Sequence, residues 1–373
     1  MMLQPGRGPI DGSHYLEATT ETSLWGQLPN RGHAPVLTVN AGDILTVDTV
    51  SHEGILEDQG RDPDAFFGRF GVSADQVLVD ARALAASSLV RDSETDGPHV
   101  VTGPVEVRTA EPGDVLKVEI LSLRRRLDYG IVSSRHGRGA LPGEFPQRPS
   151  GAGRGSALEL ASGGVSTFCT VERQNASEYG SLRFGDSRTA RFPLGPFMGI
   201  MGVAADTDER LNTIPPGRYG GNLDIKVLAS GSAVYLPVQV DGAGFYTGDP
   251  HFAQGNGEVA LTAFEAPLRA TFRLTVLKGA QARAAIGSIV EPFGETEQYW
   301  VAIGLHEDLN EAMRRSVRAA VQFLTSRVGM DGASAYAYLS AAADLEVSQV
   351  VDRVQGVHCL IRKSDFDDVE PQA

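Results

Sequence analysis

Between Phe245 and Ala260 the chain reads FYTGDPHFAQGNGEVA. Asp249, His251 and Glu258 stand there among Gly244, Gly248, Gly255 and Gly257. A carboxylate, an imidazole and a second carboxylate are good ligands for a divalent ion such as zinc, and such a set leaves one position for water, as in hydrolytic sites. Asp249 and His251 are two apart, so on extended backbone both side chains face the same way. The glycines and Pro250 let the backbone approach an ion closely and hold an unusual turn. The plainer alternative is a hairpin loop with an aspartate turn cap and an exposed histidine. No H-E-x-x-H or C-x-x-C pattern decides between the two.

A second stretch, GRYGGNLDIK (217–226), puts Asn222 and Asp224 behind a glycine pair, again two apart at a strand start. Asp224 reads either as a further ligand or as a solvated charge. Asn222 reads either as a hydrogen-bonding group for a polar substrate or as part of a β-turn. His52, in DTVSHEGILEDQG, and His99, in DGPHVVTGP, lie at strand ends near acids or glycine, as His251 does. Taken singly, each is more simply an ordinary surface or core histidine. Other machinery is missing: there is no G-x-S-x-G elbow, no Walker loop and no Rossmann fingerprint after a strand. Cys169 and Cys359 lie in apolar, strand-like runs (TFCTV, VHCLI) and read as buried structural thiols.

The elements that must position these residues are mostly strands. PVLTVNAGDILTVDTVSH (35–52) alternates around an AGD turn, and GPVEVRTAEPGDVLKVEILSL (103–123) repeats the form around EPGD. Both read as strand–turn–strand, hairpin-like units. One helix is expected within 63–88. After a Gly-, Arg-, Pro- and Ser-rich stretch (135–164), which reads as a long loop, a linker or an oligomer arm, strands resume: NLDIKVL, SAVYLPVQV, GEVALTAFEA and LRATFRLTVLKG. In the last ninety residues or so YWVAIGL is a strand, and EDLNEAMRRSVRAAVQFLTSRVG is an amphipathic helix, with Asp308 as N-cap and Gly329 as stop. GASAYAYLSAAADL is a second helix, and VSQVVD and GVHCLIRK close as strands. The expected class is mainly β: an antiparallel β-sandwich or barrel body with a small α+β C-terminal unit. With 373 residues, more than one core is expected. The divisions are an N-terminal β domain over 1–135, a loop or linker with short strands over 136–190, a central β domain over 191–285 carrying GGNLD and GDPHFAQGNGE, and the α+β unit over 286–373.

The net charge of -14 and a pI of about 5.0 argue against nucleic acid and anionic membrane surfaces as partners, since phosphate neutralisation needs a basic face. The N-terminus lacks the apolar core of a secretory signal and no run reaches membrane-span length, so a cytoplasmic location is expected.

The segments GGNLDIK, LPVQVDGAGFYTGDPHFAQGNGEVALTAFE, DGPHVVTGPVEVRTAEPGDVLKVEI and GLHEDLNEAMRRSVRAAVQFL resemble the acetamidase/formamidase family, in order and over nearly the whole chain. The resemblance implies a metal-dependent hydrolase of small linear amides, releasing a carboxylate and ammonia, and a cytoplasmic homo-oligomer, a dimer or larger. Matched to the motif, the residues implied are Asp249, His251, Gln254 and Glu258, with Asn222 and Asp224. On this reading Asp224, Asp249 and His251 hold a zinc ion, His52 or His99 adds a further ligand, and calcium is an option for a second ion. Glu258 then moves the proton, and Asn222 or Gln254 holds the amide. SHEGILEDQGRDPDAFFGRFGV departs from the family's formamidase form and adds His52, Glu53 and Glu57 near the site. That keeps a carbamate, a cyclic amide or a larger amide in view as substrate, and a non-catalytic binding protein as the alternative to an enzyme.

Overall fold

Apolar alternation along the strands builds two large sheets that close on one core. The computed structural model describes residues 2–366 apart from 90, 93, 136, 147–162, 176 and 186. The nine-stranded sheet runs His14–Leu16, Ile44–Asp48, Leu268–Leu277, Val115–Arg125, Ala233–Pro237, Phe293–Glu295, Tyr299–His306, Gln355–Arg362, Asp344–Gln349. In the eleven-stranded sheet, Phe245–Ala253 is central. It pairs antiparallel with Phe197–Gly202, Val100–Val107 and Phe264–Glu265. Leu116, Val118 and Phe272 of the first sheet meet Met198, Met201 and Phe252 of the second in one apolar cluster. The Phe245 and Phe272 rings cross the interface edge to face, centroids 5.4 Å apart. The class is mainly β, as expected; among the described residues the strand pairs His14–Leu16 with Ile44–Asp48 and Leu37–Val39 with Val100–Val107 are parallel.

The two hairpin-like units are not hairpins. Leu37–Val39 joins Val100–Val107 in one sheet, whereas Ile44–Asp48 joins Leu268–Leu277 in the other. Likewise Val100–Val107 and Val115–Arg125 lie in different sheets. Both Gly-Asp turns carry the chain from sheet to sheet, and they share a mechanism. Asp43 Oδ2 accepts from the Asn40 backbone N–H (2.8 Å), and Asp114 Oδ2 accepts from that of Glu111 (2.8 Å). Alternation marks a strand with one face buried but does not choose its partner.

Other expected elements differ in extent. NLDIKVL keeps only the strand end at Asn222, and GEVALTAFEA only Phe264–Glu265; both runs are otherwise irregular. Two helices, Pro63–Gly68 and Val79–Ala86, stand where one was expected. The loop expected over 135–164 falls largely outside the described residues, and Gly164–Gln174, Ser177–Phe184 and Arg188–Pro193 follow it as an antiparallel run. Cys169 and Cys359 are buried, which pushes both thiols up to about 12.

The C-terminal unit continues the nine-stranded sheet. Helix Leu309–Phe323 is capped by Asp308, which accepts from Glu311 N–H (2.9 Å), and Gly329 ends the following turn at φ 85°. The helix lies hard against Gly304, where a Cβ would come 2.1 Å from the Ala312 carbonyl oxygen. Strands of the nine-stranded sheet come from within 1–135, 191–285 and 286–373, so these three segments share one hydrogen-bonded layer. Among the described residues no helix is long and apolar enough to cross a membrane.

Candidate functional site

The central strand Phe245–Ala253 supplies Asp249 and His251, and its neighbours bring the rest. Asp224 follows Gly220–Asn222. His52 lies beyond Ile44–Asp48, and His99 just precedes Val100–Val107. Glu258 comes from the loop after the central strand and Glu265 from Phe264–Glu265. Asp352 lies in the bend between the last two strands, Asp344–Gln349 and Gln355–Arg362. All are buried. Four overlapping groups have ligand atoms within 4.8 Å of one another: His52, His99 and Asp249; Asp224, Asp249 and His251; His251, Glu258 and Glu265; Asp224, Glu258 and Asp352.

Each imidazole is anchored on one nitrogen and turns the other to Asp249. His52 Nε2 lies 3.3 Å from Glu53 Oε1, and its Nδ1 lies 3.5 Å from Asp249 Oδ1. His99 Nδ1 bonds Thr213 Oγ1 (3.0 Å), and its Nε2 lies 3.7 Å from Asp249 Oδ1. His251 Nδ1 bonds Gln254 Oε1 (3.1 Å), and its Nε2 lies 3.0 Å from both Asp249 Oδ2 and Glu265 Oε1. Gln254 has no freedom to flip. Its Nε2 donates to the carbonyls of Asp224 (2.9 Å) and Ser348 (3.2 Å), so Oε1 must accept and His251 Nδ1 must donate. A partner on the outer nitrogen that fixes the tautomer is the usual support of a metal-ligating histidine.

The charges are out of balance without a cation. Burial, then Asp224, hold the Glu258 carboxyl well above its ordinary range. Burial and Asp352 do the same to Asp224, burial and Glu258 to Asp352. Burial and Asp249 push Glu265 up to about 7. Burial also raises Asp249, but His99 and His251 outweigh it and hold that carboxylate well below its usual range. Burial lowers His251, yet Glu265 and Asp249 carry it well above the ordinary histidine value. Burial opposes protonation of His52 too, but Asp249 and Glu53 raise it to about 10. His99 falls to about 4, chiefly through burial. Buried atoms without a hydrogen-bond partner gather here: His52 Nδ1, both Asp224 oxygens, Asp249 Oδ1, Glu258 Oε2, Glu265 Oε2 and Asp352 Oδ2. Orphaned acceptors and crowded carboxylates beside imidazoles are a donor set that a divalent ion satisfies.

Backbone geometry points the same way. Asp224, Asp249 and Glu258 sit in the left-handed region, at φ 50°, 51° and 47°. Each costs of order 1–3 kcal/mol, and such strain collects at functional sites. Gly199 faces the middle of the cluster: a Cβ there would come 2.5 Å from Asp224 Oδ1 and 2.7 Å from Asp249 Oδ2. His52, His99 and Asp352 line a cavity of about 820 Å³.

The five expected ligands, Asp224, Asp249, His251, His52 and His99, thus come together, with Glu258 against them. Gln254 donates its amide protons to the backbone carbonyls of Asp224 and Ser348, and its Oε1 faces His251 Nδ1. Asn222 is buried with Oδ1 unpartnered, and among the described residues no hydrogen bond joins it to the cluster. Glu265, Asp352 and Gly199 were not foreseen. A charged residue inside an apolar run, as in TAFEAP and QVVDRV, is the signal that could have found the two acids.

Fold and site together define a two-sheet β protein with a buried acid–imidazole cluster on the wall of a cavity. Residues 197–363 match the model of the acetamidase/formamidase family. A formamidase of Methylophilus methylotrophus is 27% identical over 308 residues, 70% of this chain and 75% of that one. An acetamidase of Mycolicibacterium smegmatis is 28% identical over 207 residues, 46% of this chain and 51% of its own length. The crystal structure of an acetamidase from Bacillus halodurans superposes with a TM-score of 0.70 at 25% identity, covering 95% of this chain and 99% of that one. In these stretches and in its fold the chain is similar to the acetamidase/formamidase family.

Proposed function

We propose that this protein is a metal-dependent amidase that cleaves the C–N bond of an amide to a carboxylate and ammonia. The observation that carries the reading is the set of three anchored imidazoles aimed at Asp249, among unpartnered carboxylate oxygens, beside a cavity. His52, His99, Asp249, Asp224 and His251 are the residues that would hold the ion, and their nitrogen–oxygen set favours zinc over calcium. When bound, a divalent ion supplies Lewis-acid polarisation of the amide carbonyl and makes water acidic enough to attack near neutrality.

The chain's own groups do the rest. Unactivated amides expel nitrogen only when it is protonated. Glu258 Oε2 is buried and unpartnered, and burial with Asp224 strengthens its hold on a proton. In its ionised form it takes a proton from the attacking water, and it then delivers that same proton to the departing nitrogen. Asn222 Oδ1, unpartnered in a buried position, is assigned to accept from the substrate amide N–H. Gln254 holds His251 in the tautomer whose Nε2 faces Asp249 and Glu265. We place the enzyme in the cytoplasm as a homo-oligomer, which size-exclusion chromatography with light scattering tests.

The test of the reaction is ammonia release from formamide, acetamide and larger amides, before and after chelation and after zinc is restored. Activity lost with the metal and regained with zinc is expected. Full activity in protein shown to be metal-free would overturn the metal dependence, and no ammonia from any amide would overturn the amidase.

A further inference from the structure

We infer that the cavity carries an anion subsite, built by Arg138 and Arg353, and that the amide hydrolysed bears a carboxylate. The inference rests on the amidase reading and names its substrate class. Formamide and acetamide have only a few non-hydrogen atoms, whereas the cavity holds about 820 Å³, the range of sites for much larger ligands.

Four guanidiniums line that cavity, those of Arg91, Arg135, Arg138 and Arg353. Two are paired: Arg91 with Glu57, and Arg135 with Asp58 at 2.7 Å. Among the described residues no carboxylate lies within salt-bridge distance of Arg138 or Arg353. Of the other acids lining the cavity, Asp96 is held by Arg210 (2.6 Å), Asp352 belongs to the acid cluster, and Glu94 forms no ion pair with either arginine. Like charges are therefore crowded together. Arg138 and Arg353 are both exposed at the cavity surface, and the Arg138 guanidinium is lowered from its ordinary value by partial burial first, then by Arg135 and Arg353, against a smaller opposing pull from Asp58. An anion between Arg138 and Arg353 relieves that crowding, and a carboxylate matches the guanidinium fork.

The same cavity wall links the subsite to the reacting centre. Asp352 joins the acid cluster, and Arg353, the next residue, lines the cavity from a left-handed backbone at φ 65°. Ile214, Leu261 and Val350 add apolar lining to the cavity. The substrate this arrangement fits is a monoamide of a short dicarboxylic acid: amide at the centre, aliphatic spacer along the wall, carboxylate between the arginines.

The experiment compares kcat/KM for succinamate and for its neutral isostere 4-methylpentanamide, in zinc-loaded wild type and in the Arg138→Gln/Arg353→Gln double variant. Thermal unfolding checks that the variant folds. Wild type is expected to prefer succinamate by at least about tenfold, the size of a charge-assisted hydrogen bond, and the variant to lose that preference. The preference should also shrink as ionic strength rises. Equal turnover of the two amides by wild type, or an equal loss on both in the variant, overturns the subsite. If wild type releases ammonia from neither, formamide and acetamide decide the amidase reading, and calorimetric binding of succinate decides the subsite. Succinate binding weakened at least about tenfold in the variant supports it, and binding equal in both proteins, or absent from both, overturns it.

Discussion

At the scale of single residues, the site depends on groups held where they would rather not be. Asp224, Asp249 and Glu258 combine left-handed backbone with burial, a costly combination that a bound cation would offset. Glu258→Gln should keep its metal, measured by elemental analysis, and lose turnover by about 100-fold or more, as removal of a general acid–base does. His251→Ala should lose both metal and turnover. Undiminished kcat in Glu258→Gln would end its role in proton transfer. Gly199→Ala tests the space at the centre: its methyl would press on Asp224 and Asp249, so metal content should fall sharply while the protein still folds. Full metal occupancy in that variant would show that the cluster yields more easily than its packing implies.

At the scale of elements, the loop that carries Glu258 is docked on the last part of the chain. Gly257 N–H donates to the Ser348 carbonyl (3.0 Å) and Val350 N–H to the Gly257 carbonyl (3.1 Å), while Asn256 donates to Glu346. The C-terminal strands thus deliver Asp352 and steady Glu258 together. Glu346 is held at about 2, below the ordinary glutamate value, first by His358, whose Nε2 lies 3.6 Å away, and also by the Asn256 hydrogen bond. A carboxyl whose folded pKa is depressed adds stability above its unfolded pKa of 4.5 and loses it as pH falls toward 2. Glu346→Gln should therefore unfold more easily than wild type near neutrality, and the gap should close between about pH 4.5 and 2 in urea titrations. A gap that stays constant over that range would mean that the contact is steric and not ionic.

At the scale of the whole molecule, one buried polar network ties the two ends of the nine-stranded sheet's first edge. Arg269 grips Asp48 with Nε to Oδ1 at 2.6 Å and Nη2 to Oδ2 at 2.9 Å, Tyr15 donates to Asp48 (2.7 Å), and Arg126 bridges to Asp80 (2.6 Å). Removing one partner leaves buried guanidiniums uncompensated, which costs about 3–5 kcal/mol. Asp48→Ala should lower unfolding stability by that order in urea titrations. A change below about 1 kcal/mol would mean that water or a rearranged partner takes the place of the carboxylate.

Much of the chemistry was legible in the chain. Residue type and short spacing single out Asp249, His251 and Glu258, because ligand chemistry is local and glycine marks the backbone that must bend around it. Alternation and capping likewise determine strand after strand and the Leu309–Phe323 helix, since burial of one face and an N-cap are properties of neighbours in sequence. Pairing is not such a property. The Gly-Asp turns at Gly42 and Gly113 look like hairpin turns, but the sheets that receive the flanking strands lie hundreds of residues away in part, at Leu268–Leu277. For the same reason Glu265, Asp352 and Gly199 enter the site unannounced, and so do the backbone partners of Gln254. Which residue stands opposite which is set by long-range packing of two sheets, and only the folded molecule decides it.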